Sequence, residues 1–256
     1  MIHEQALVDP SAQVAADAEI GPFCVIGPDV EIGSGTTVAS HTVIRGPTRI
    51  GRDNRIFAFA SVGDAPQDLK YAGEPTELII GDRNTLREYV TLNRGTPDGG
   101  GFTRIGDDNL LMAYIHVAHD CKVGNSTVFA NAASLGGHVE VGDWAILGGF
   151  SCFHQFTRVG AHSFTGMATS VSNDVPPFVT VAGNRARSYG INKNGLKRRG
   201  FPLETIQALH RAYTLLLRRG RAREGAREEA EALARDYGEV QYLLEFIDSA
   251  QRGITR

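Results

Sequence analysis

Residues 105–111 read Ile105-Gly106-Asp107-Asp108-Asn109-Leu110-Leu111, and a large apolar residue then returns at every sixth position: Val117, Val123, Phe129, Leu135, Val141, Leu147, Phe153 and Val159. A period of six is neither helical nor that of a plain alternating strand. It is the period of a solenoid in which each hexad is one short strand and one corner. Onward, the register takes in Thr165 and Val171. Backward, shifted by one residue across Gly95–Gly101, it meets Leu92, Leu86 and Ile80. It pauses at Glu74 and Asp68 and resumes in phase at Val62, continuing through Ile56, Ile50, Ile44, Val38, Ile32, Ile26, Ile20, Val14 and Val8 to Ile2. Of these 28 positions, 25 are Ile, Leu, Val or Phe, whereas composition alone would place about seven there, so coincidence is excluded. The pause predicts an excursion thrown off a continuing scaffold.

Three hexads close one triangular coil of 18 residues, with the apolar residue pointing inward and successive coils pairing as parallel strands. Corners need left-handed backbone, and Gly and Asn are expected to supply it in Ile50-Gly51-Arg52-Asp53-Asn54, Ile80-Gly81-Asp82-Arg83-Asn84 and Ile105-Gly106-Asp107-Asp108-Asn109. Periodicity does not fix the handedness of the winding, since parallel crossovers are normally right-handed. After Pro176-Pro177 the hexads fade. From about Pro202 the spacing of Leu203, Ile206, Leu209, Tyr213, Leu216 and Leu217 is helical, with Gly220 as a stop. Two more helices are expected near 223–236 and 239–251. The chain divides into a β-solenoid over 1–190 and a helical region over 191–256 that covers its open end.

With 21% charged residues and a net charge of −3, the chain has no global field favouring nucleic acid or a membrane surface. Cys24, Cys121 and Cys152 are scattered and odd in number, which argues against a disulfide framework and fits a reducing compartment. No apolar run is long enough for a spanning helix, and the repeat begins at Ile2, so the expectation is a cytoplasmic protein with no membrane insertion.

The densest histidine cluster lies in His116-Val117-Ala118-His119-Asp120-Cys121, Gly136-Gly137-His138 and Phe153-His154-Gln155. Winding at 18 residues per coil stacks His119, Gly137 and Gln155 on one face and puts Asp120 under His138. That set offers a general base, a carboxylate to orient it and a backbone amide for a developing oxyanion.

Four strings make the reading specific: Gln67-Asp68-Leu69-Lys70-Tyr71-Ala72-Gly73-Glu74-Pro75, Ala118-His119-Asp120-Cys121, Gly136-Gly137-His138-Val139 and Gly195-Leu196-Lys197-Arg198-Arg199-Gly200-Phe201. Together with the hexads and the helical tail, they resemble the UDP-N-acetylglucosamine O-acyltransferases of lipid A biosynthesis over nearly the whole chain. The resemblance implies a left-handed parallel β-helix, a homotrimer, and transfer of a 3-hydroxyacyl group from acyl carrier protein to the sugar 3-hydroxyl of UDP-N-acetylglucosamine. No metal and no cofactor beyond the carrier thioester is expected. It also implies His119 as the base, Asp120 holding it and Gly137 as oxyanion donor. His116, His138, His154 and Gln155 would contact the sugar, phosphates or acyl group. Gln67, Asp68 and Lys70 would recognise the acyl 3-hydroxyl and adjacent groups across a subunit boundary.

Asn192, Arg198 and Arg199 match family positions near the nucleotide and the carrier. Asn194 stands where the best-known members have Glu, and Asn93 where they have His. Met167 occupies a spot where some relatives have Gly, so it is expected to act as a ruler favouring acyl chains of about ten to twelve carbons. Lys193, Lys197, Arg198, Arg199, Arg211, Arg218, Arg219, Arg221, Arg223 and Arg227 form a basic concentration suited to an acidic carrier. Three rival readings carry their own signatures. A zinc hydratase would use His116, His119 and His138 as ligands; an acetyl-coenzyme A sugar acetyltransferase would have no need of the Gln67–Tyr71 string; a non-catalytic trimeric scaffold would be indifferent to His119.

Overall fold

The computed structural model describes residues 1–218 and 224–256. Among these, three sheets of nine, eight and ten strands, parallel except for the last strand of the third, form the three faces of a left-handed β-helix, each face receiving every third strand in chain order through the hexads. The first face begins with Leu7–Val8, the second with Gln13–Val14 and the third with Glu19–Ile20. The usual partner distance is 18 residues, as in Val117 opposite Leu135 and Leu135 opposite Phe153. Inward hexad residues from Ile20 to Val171 are almost wholly buried and form one continuous core. The first coil is the open end. Its Ile2 is 47% exposed, and Val8 and Val14 are only half-buried, because no coil lies beneath them.

The corners differ from the sequence expectation. The left-handed residue is the third after the inward aliphatic, so Asp53, Arg83 and Asp108 carry φ of 54°, 55° and 60°, while neither the glycines nor the asparagines of those strings have positive φ. Phe23, His41, Phe59, Tyr89 and Tyr114 do the same along one edge and stack there with centroids 5.0, 5.0, 5.1 and 4.9 Å apart. The cost of left-handed backbone in these residues is offset by the surrounding ladder hydrogen bonds and ring stacking.

The glycines serve close packing instead. A Cβ on Gly51 would lie 2.7 Å from the carbonyl oxygen of Gly81 in the next coil, and one on Gly81 would lie 2.8 Å from that of Gly106. The asparagines line the interior as a hydrogen-bonded ladder. Asn54 Oδ1 accepts from Asn84 N (2.9 Å), Asn84 Oδ1 from Asn109 N (2.9 Å), and Asn109 Oδ1 from Thr127 N (2.8 Å). Each side chain satisfies the buried N–H of the coil that follows.

Two coils break the count of 18. Ile50 pairs with Ile80, 30 positions on, and Ile80 pairs with Ile105, 25 positions on. The extra residues are the excursion between Ser61–Asp64 and Glu77–Ile80 and a shorter insertion between Thr91–Asn93 and Phe102–Ile105. Both leave the solenoid at the same corner, where the first face turns into the second.

Beyond the hexads, Val179–Ala182 continues the third face and turns back as the antiparallel strand Arg187–Ile191, a hairpin the fading repeat did not announce. Helix α1 spans Lys193–Arg198, earlier than the expected helical start; α2 is Leu203–Leu216, α3 Ala226–Ala234 and α4 Gly238–Asp248. Helix α4 stops short of residue 251 because Ser249 caps it. Gly220, the expected stop, and residue 223 lie outside the described residues. The last residues cover the end of the second face: Asp174 and Ile254 form a parallel bridge, and Asn173 Nδ2 donates to Arg252 O.

Asn84→Ala removes a buried acceptor for Asn109 N and a donor to Gly106 O. The expected cost is about 2–4 kcal/mol, read as a lower urea midpoint at unchanged m-value. An unshifted midpoint would show that the ladder adds nothing to stability.

Candidate active site

His119 and Asp120 sit at the corner between the first and second faces, after His116–Val117 and before Lys122–Val123. This is the corner from which both insertions depart, one and two coils earlier. Asp120 has φ 62°, a left-handed conformation that Asp adopts more readily than most residues. Its side chain is fully buried, and its Oδ2 lies 2.6 Å from His119 Nδ1. A carboxylate only accepts, so Nδ1 is the donor, and in the neutral imidazole Nε2 keeps its lone pair.

The 18-residue stacking holds here. His138 N donates to His119 O (3.0 Å), and Phe156 N donates to Gly137 O (3.0 Å). A Cβ on Gly137 would lie 2.6 Å from Cε1 and 2.8 Å from Nε2 of His119, so the ring packs directly against the glycine Cα. Among the described residues no acceptor is bonded to Gly137 N. At the next corner, by contrast, the amides of Arg52, Asp82 and Asn125 are capped by Asp82, Asp107 and Asp143 of the coils above. Gly137 therefore carries an unmatched donor beside the lone pair of His119.

His138 meets His119 edge to face at 5.2 Å, stacks on Phe156 at 4.3 Å and places Nε2 3.6 Å from Asp120 Oδ2. Desolvation holds its pKa below the usual histidine value, against the raising effect of the Asp120 charge. His116 is likewise lowered, first by burial and then by His119. Its Nδ1 is hydrogen-bonded to Thr91 Oγ1 at 2.8 Å. Both rings are thus neutral at pH 7. His154 and Gln155 are exposed one coil further on, with His154 Nδ1 3.1 Å from Gln155 O.

In the excursion, Asp68 is near enough for its charge to favour protonation of His138, and it accepts from Lys70 N at 3.0 Å. Gln67 and Lys70 are exposed. Asn93 is buried at the root of this loop and donates from Nδ2 to Ala65 O at 2.9 Å, which gives the departure at this position a holding role.

A metal centre is a poor fit. His119, Asp120 and His138 bring one ligand atom each within 4.8 Å, and His116 is not in that group. Both Asp120 oxygens, however, already accept N–H or O–H donors from Thr96 and His119. A carboxylate so occupied orients a ring rather than binds a cation.

The other expected residues fall elsewhere. Asn192 is the N-cap of α1, accepting from Gly195 N at 3.1 Å and donating to His162 O at 3.0 Å. Arg199 lies over Trp144 at 5.3 Å, donates to Trp144 O at 2.7 Å and sits 3.3 Å from His162 Nδ1. His162, which the sequence reading did not single out, thereby joins two expected nucleotide-side residues. Arg198 and Asn194 are exposed on α1. Met167 is 75% exposed at the far edge of the first face.

The basic concentration is thinner than its sequence count. Arg211 pairs with Glu229, and Arg227 with Glu231 and Asp248. Arg219, Arg221 and Arg223 lie outside the described residues. Lys193, Lys197, Arg198 and Arg218 have no ion-pair partner among the described residues; Arg218 lines a 540 Å³ cavity with Arg187 and His210. A separate 480 Å³ cavity lies on the third face near the open end, lined by residues including Met1, Ile20 and Phe57, away from His119.

Burial, and then the Arg199 charge, lower the His162 pKa from 6.5 to about 4. As pH falls through that window the unfolded chain takes up a proton that the folded ring refuses, so stability decreases with falling pH. His162→Phe keeps a ring between Trp144 and Phe178 and removes this titration. Its stability loss between pH 7 and pH 4.5, followed by urea unfolding, is expected to be shallower than that of the parent; equal slopes would contradict the burial of a neutral His162.

A family model described as UDP N-acetylglucosamine O-acyltransferase, domain 2, matches residues 174–255, and a bacterial transferase hexapeptide model matches 11–46. The acyl-acyl-carrier-protein–UDP-N-acetylglucosamine O-acyltransferase of Thiobacillus denitrificans is 56% identical over 255 residues, covering 100% of this chain and 99% of its own. The protein of that name from Burkholderia lata is 55% identical with the same coverage. The solved structure of LpxA from Acinetobacter baumannii superposes with a TM-score of 0.96 at 45% identity, covering 100% of this chain and 99% of its own. That of the Francisella novicida UDP-N-acetylglucosamine acyltransferase also gives 0.96, at 41% identity, with 100% and 94% covered.

Proposed function

The chain belongs to the UDP-N-acetylglucosamine O-acyltransferases, and from that premise we propose that His119 is the base with which it moves a 3-hydroxyacyl group from acyl carrier protein to the sugar 3-hydroxyl of UDP-N-acetylglucosamine, a reaction of lipid A synthesis. One observation carries the reading. A fully buried carboxylate 2.6 Å from Nδ1 leaves Nε2 as the acceptor, packed against a glycine whose amide has no partner among the described residues.

In the proposed step, Nε2 of His119 takes the proton of the sugar hydroxyl as its oxygen attacks the thioester carbon. The carbonyl oxygen gains charge and is met by the Gly137 amide. Collapse expels the carrier thiolate, which recovers the proton from His119. Asp120 supports the imidazolium throughout and ends as it began. Neutral His116 and His138 contact substrate without adding charge, and His154 and Gln155 contact it from the following coil. Gln67, Asp68 and Lys70 flank the acyl 3-hydroxyl. Asn192 and Arg199, joined through His162, serve the nucleotide side.

The outward residues of the first face run His116, Ser134, Cys152 and Ser170, and Met167 stands beside the last of these. Three coils at about 4.8 Å separate it from the level of His119, roughly 14 Å along the axis. An acyl chain laid up this face would end against Met167. Lys193, Lys197, Arg198 and Arg218 are the cations left for an acidic carrier. We retain the division at 190/191, the homotrimer and a cytoplasmic location as parts of the same proposal; the unbridged Cys24, Cys121 and Cys152 suit a reducing compartment. No helix among the described residues is long and apolar enough to cross a membrane.

Incubation with UDP-N-acetylglucosamine and a panel of 3-hydroxyacyl carrier proteins, followed by mass measurement, is expected to yield the O-acylated nucleotide sugar. His119→Ala should lower the rate by about a hundred- to ten-thousandfold with the circular dichroism spectrum retained. A variant as active as the parent would remove the base. Met167→Gly opens space worth about 0.8 kcal/mol per methylene and should move the preferred chain length upward in the same panel; an unchanged preference discards the ruler.

A further inference from the structure

The insertion between Thr91–Asn93 and Phe102–Ile105 is absorbed neither by the solenoid nor by the substrate assignments above. Leu92 pairs with Val117 at 25 positions where Val117 pairs with Leu135 at 18, so seven residues are extra. They leave and return at one point: a Cβ on Gly95 would lie 2.3 Å from Phe102 N. The strands after the loop stay in register, with Arg104 opposite Lys122 and Ile105 opposite Val123. Within the loop, Pro97–Gly99 makes one 3-10 turn, and Gly100 and Gly101, at φ 99° and 85°, reverse the chain so that Gly101 O accepts from Glu77 N at 2.8 Å.

This loop covers Asp120. Thr96 N donates to Asp120 Oδ1 and Thr96 Oγ1 to Oδ2, each at 2.7 Å, and Thr96 is 5% exposed. Gly99 packs its backbone on the same carboxylate, where a Cβ would lie 2.0 Å from Asp120 Cγ. Thr103, the second residue of the strand after the loop, accepts from Asp120 N at 2.8 Å. Other left-handed corner aspartates, Asp29, Asp53 and Asp108, are exposed; Asp120 is buried because the loop lies over it. A buried carboxylate is costly unless donors surround it, and the loop supplies two of them.

We infer that this insertion is a clamp on the carboxylate of the catalytic pair and that Thr96 is a positioning residue for acyl transfer. The inference rests on the reading of His119 as base. Thr96 Oγ1 and His119 Nδ1 donate to the same oxygen, Oδ2, so the hydroxyl both fixes the carboxylate plane and tempers its pull on the imidazole proton. Removing the hydroxyl frees Oδ2 to attract that proton more strongly, which raises the imidazole pKa, and it lets the carboxylate turn. Two readouts follow, a lower kcat and an acid limb of the kcat/KM profile moved to higher pH.

The test uses the full-length enzyme. Thr96→Val keeps the size and the backbone donor and removes only the hydroxyl; kcat is expected to fall about tenfold to a hundredfold with both KM values little changed. Thr96→Ser, which restores the hydroxyl, should return the rate and the acid limb towards the parent. Thr96→Ala also removes the hydroxyl while keeping the backbone donor and should move the acid limb in the same direction, which keeps the inference open to refutation if Thr96→Val does not fold. A parental kcat in Thr96→Val, a lowered rate with an unmoved acid limb, or a loss that Ser does not restore would each overturn the clamp. A His119→Ala enzyme that keeps its rate removes the base and the clamp together, whereas an inactive His119→Ala beside a parental Thr96→Val removes the clamp alone.

Discussion

The parallel pairing of successive coils is the constraint on which everything else in this protein depends. Strands stacked at about 4.8 Å bring every residue to its counterpart one coil on, so one side chain must answer the next. The interior answers with aliphatics and a file of asparagines, each accepting from the amide of the following coil. The surface answers with stacked rings along one edge and with aspartate caps on backbone amides along another. No hexad could hold these arrangements alone, because each contact is made between coils rather than within one.

The candidate site is the place where this repetition is interrupted on purpose. At the corner between the first and second faces the amide of Gly137 has no acceptor among the described residues, unlike the aspartate-capped amides of the next corner. The same corner throws out both insertions. One brings Asp68 to bear on His138, and the other encloses Asp120. Buried polar groups that would destabilise an ordinary coil are thereby satisfied by residues that no repeat supplies.

The far end shows a related economy of contacts. His162 receives Asn192 through its carbonyl and Arg199 through its ring, so the start and end of α1 are tied to one residue of the solenoid. Much of the basic charge in the helices is consumed by Glu229, Glu231 and Asp248, which leaves a smaller exposed cationic set on α1 and the end of α2.

The fold was legible because a hexad is a local signal repeated many times, and burial in a narrow prism admits few residue types at the inward position. The chain's own period therefore determined the solenoid, its core and the stacking of His119, Gly137 and Gln155. The family strings added the handedness and the chemistry. The corner geometry was misassigned, since Gly51 and Asn54 look like turn residues until the next coil is present to require a small residue at one and a hydrogen-bonded amide at the other. Thr96, His162 and the bond from Asn192 to His162 were not legible at all. Their partners are 24, 37 and 30 positions away, across insertions and faces that the period does not count, so only the folded chain brings them together.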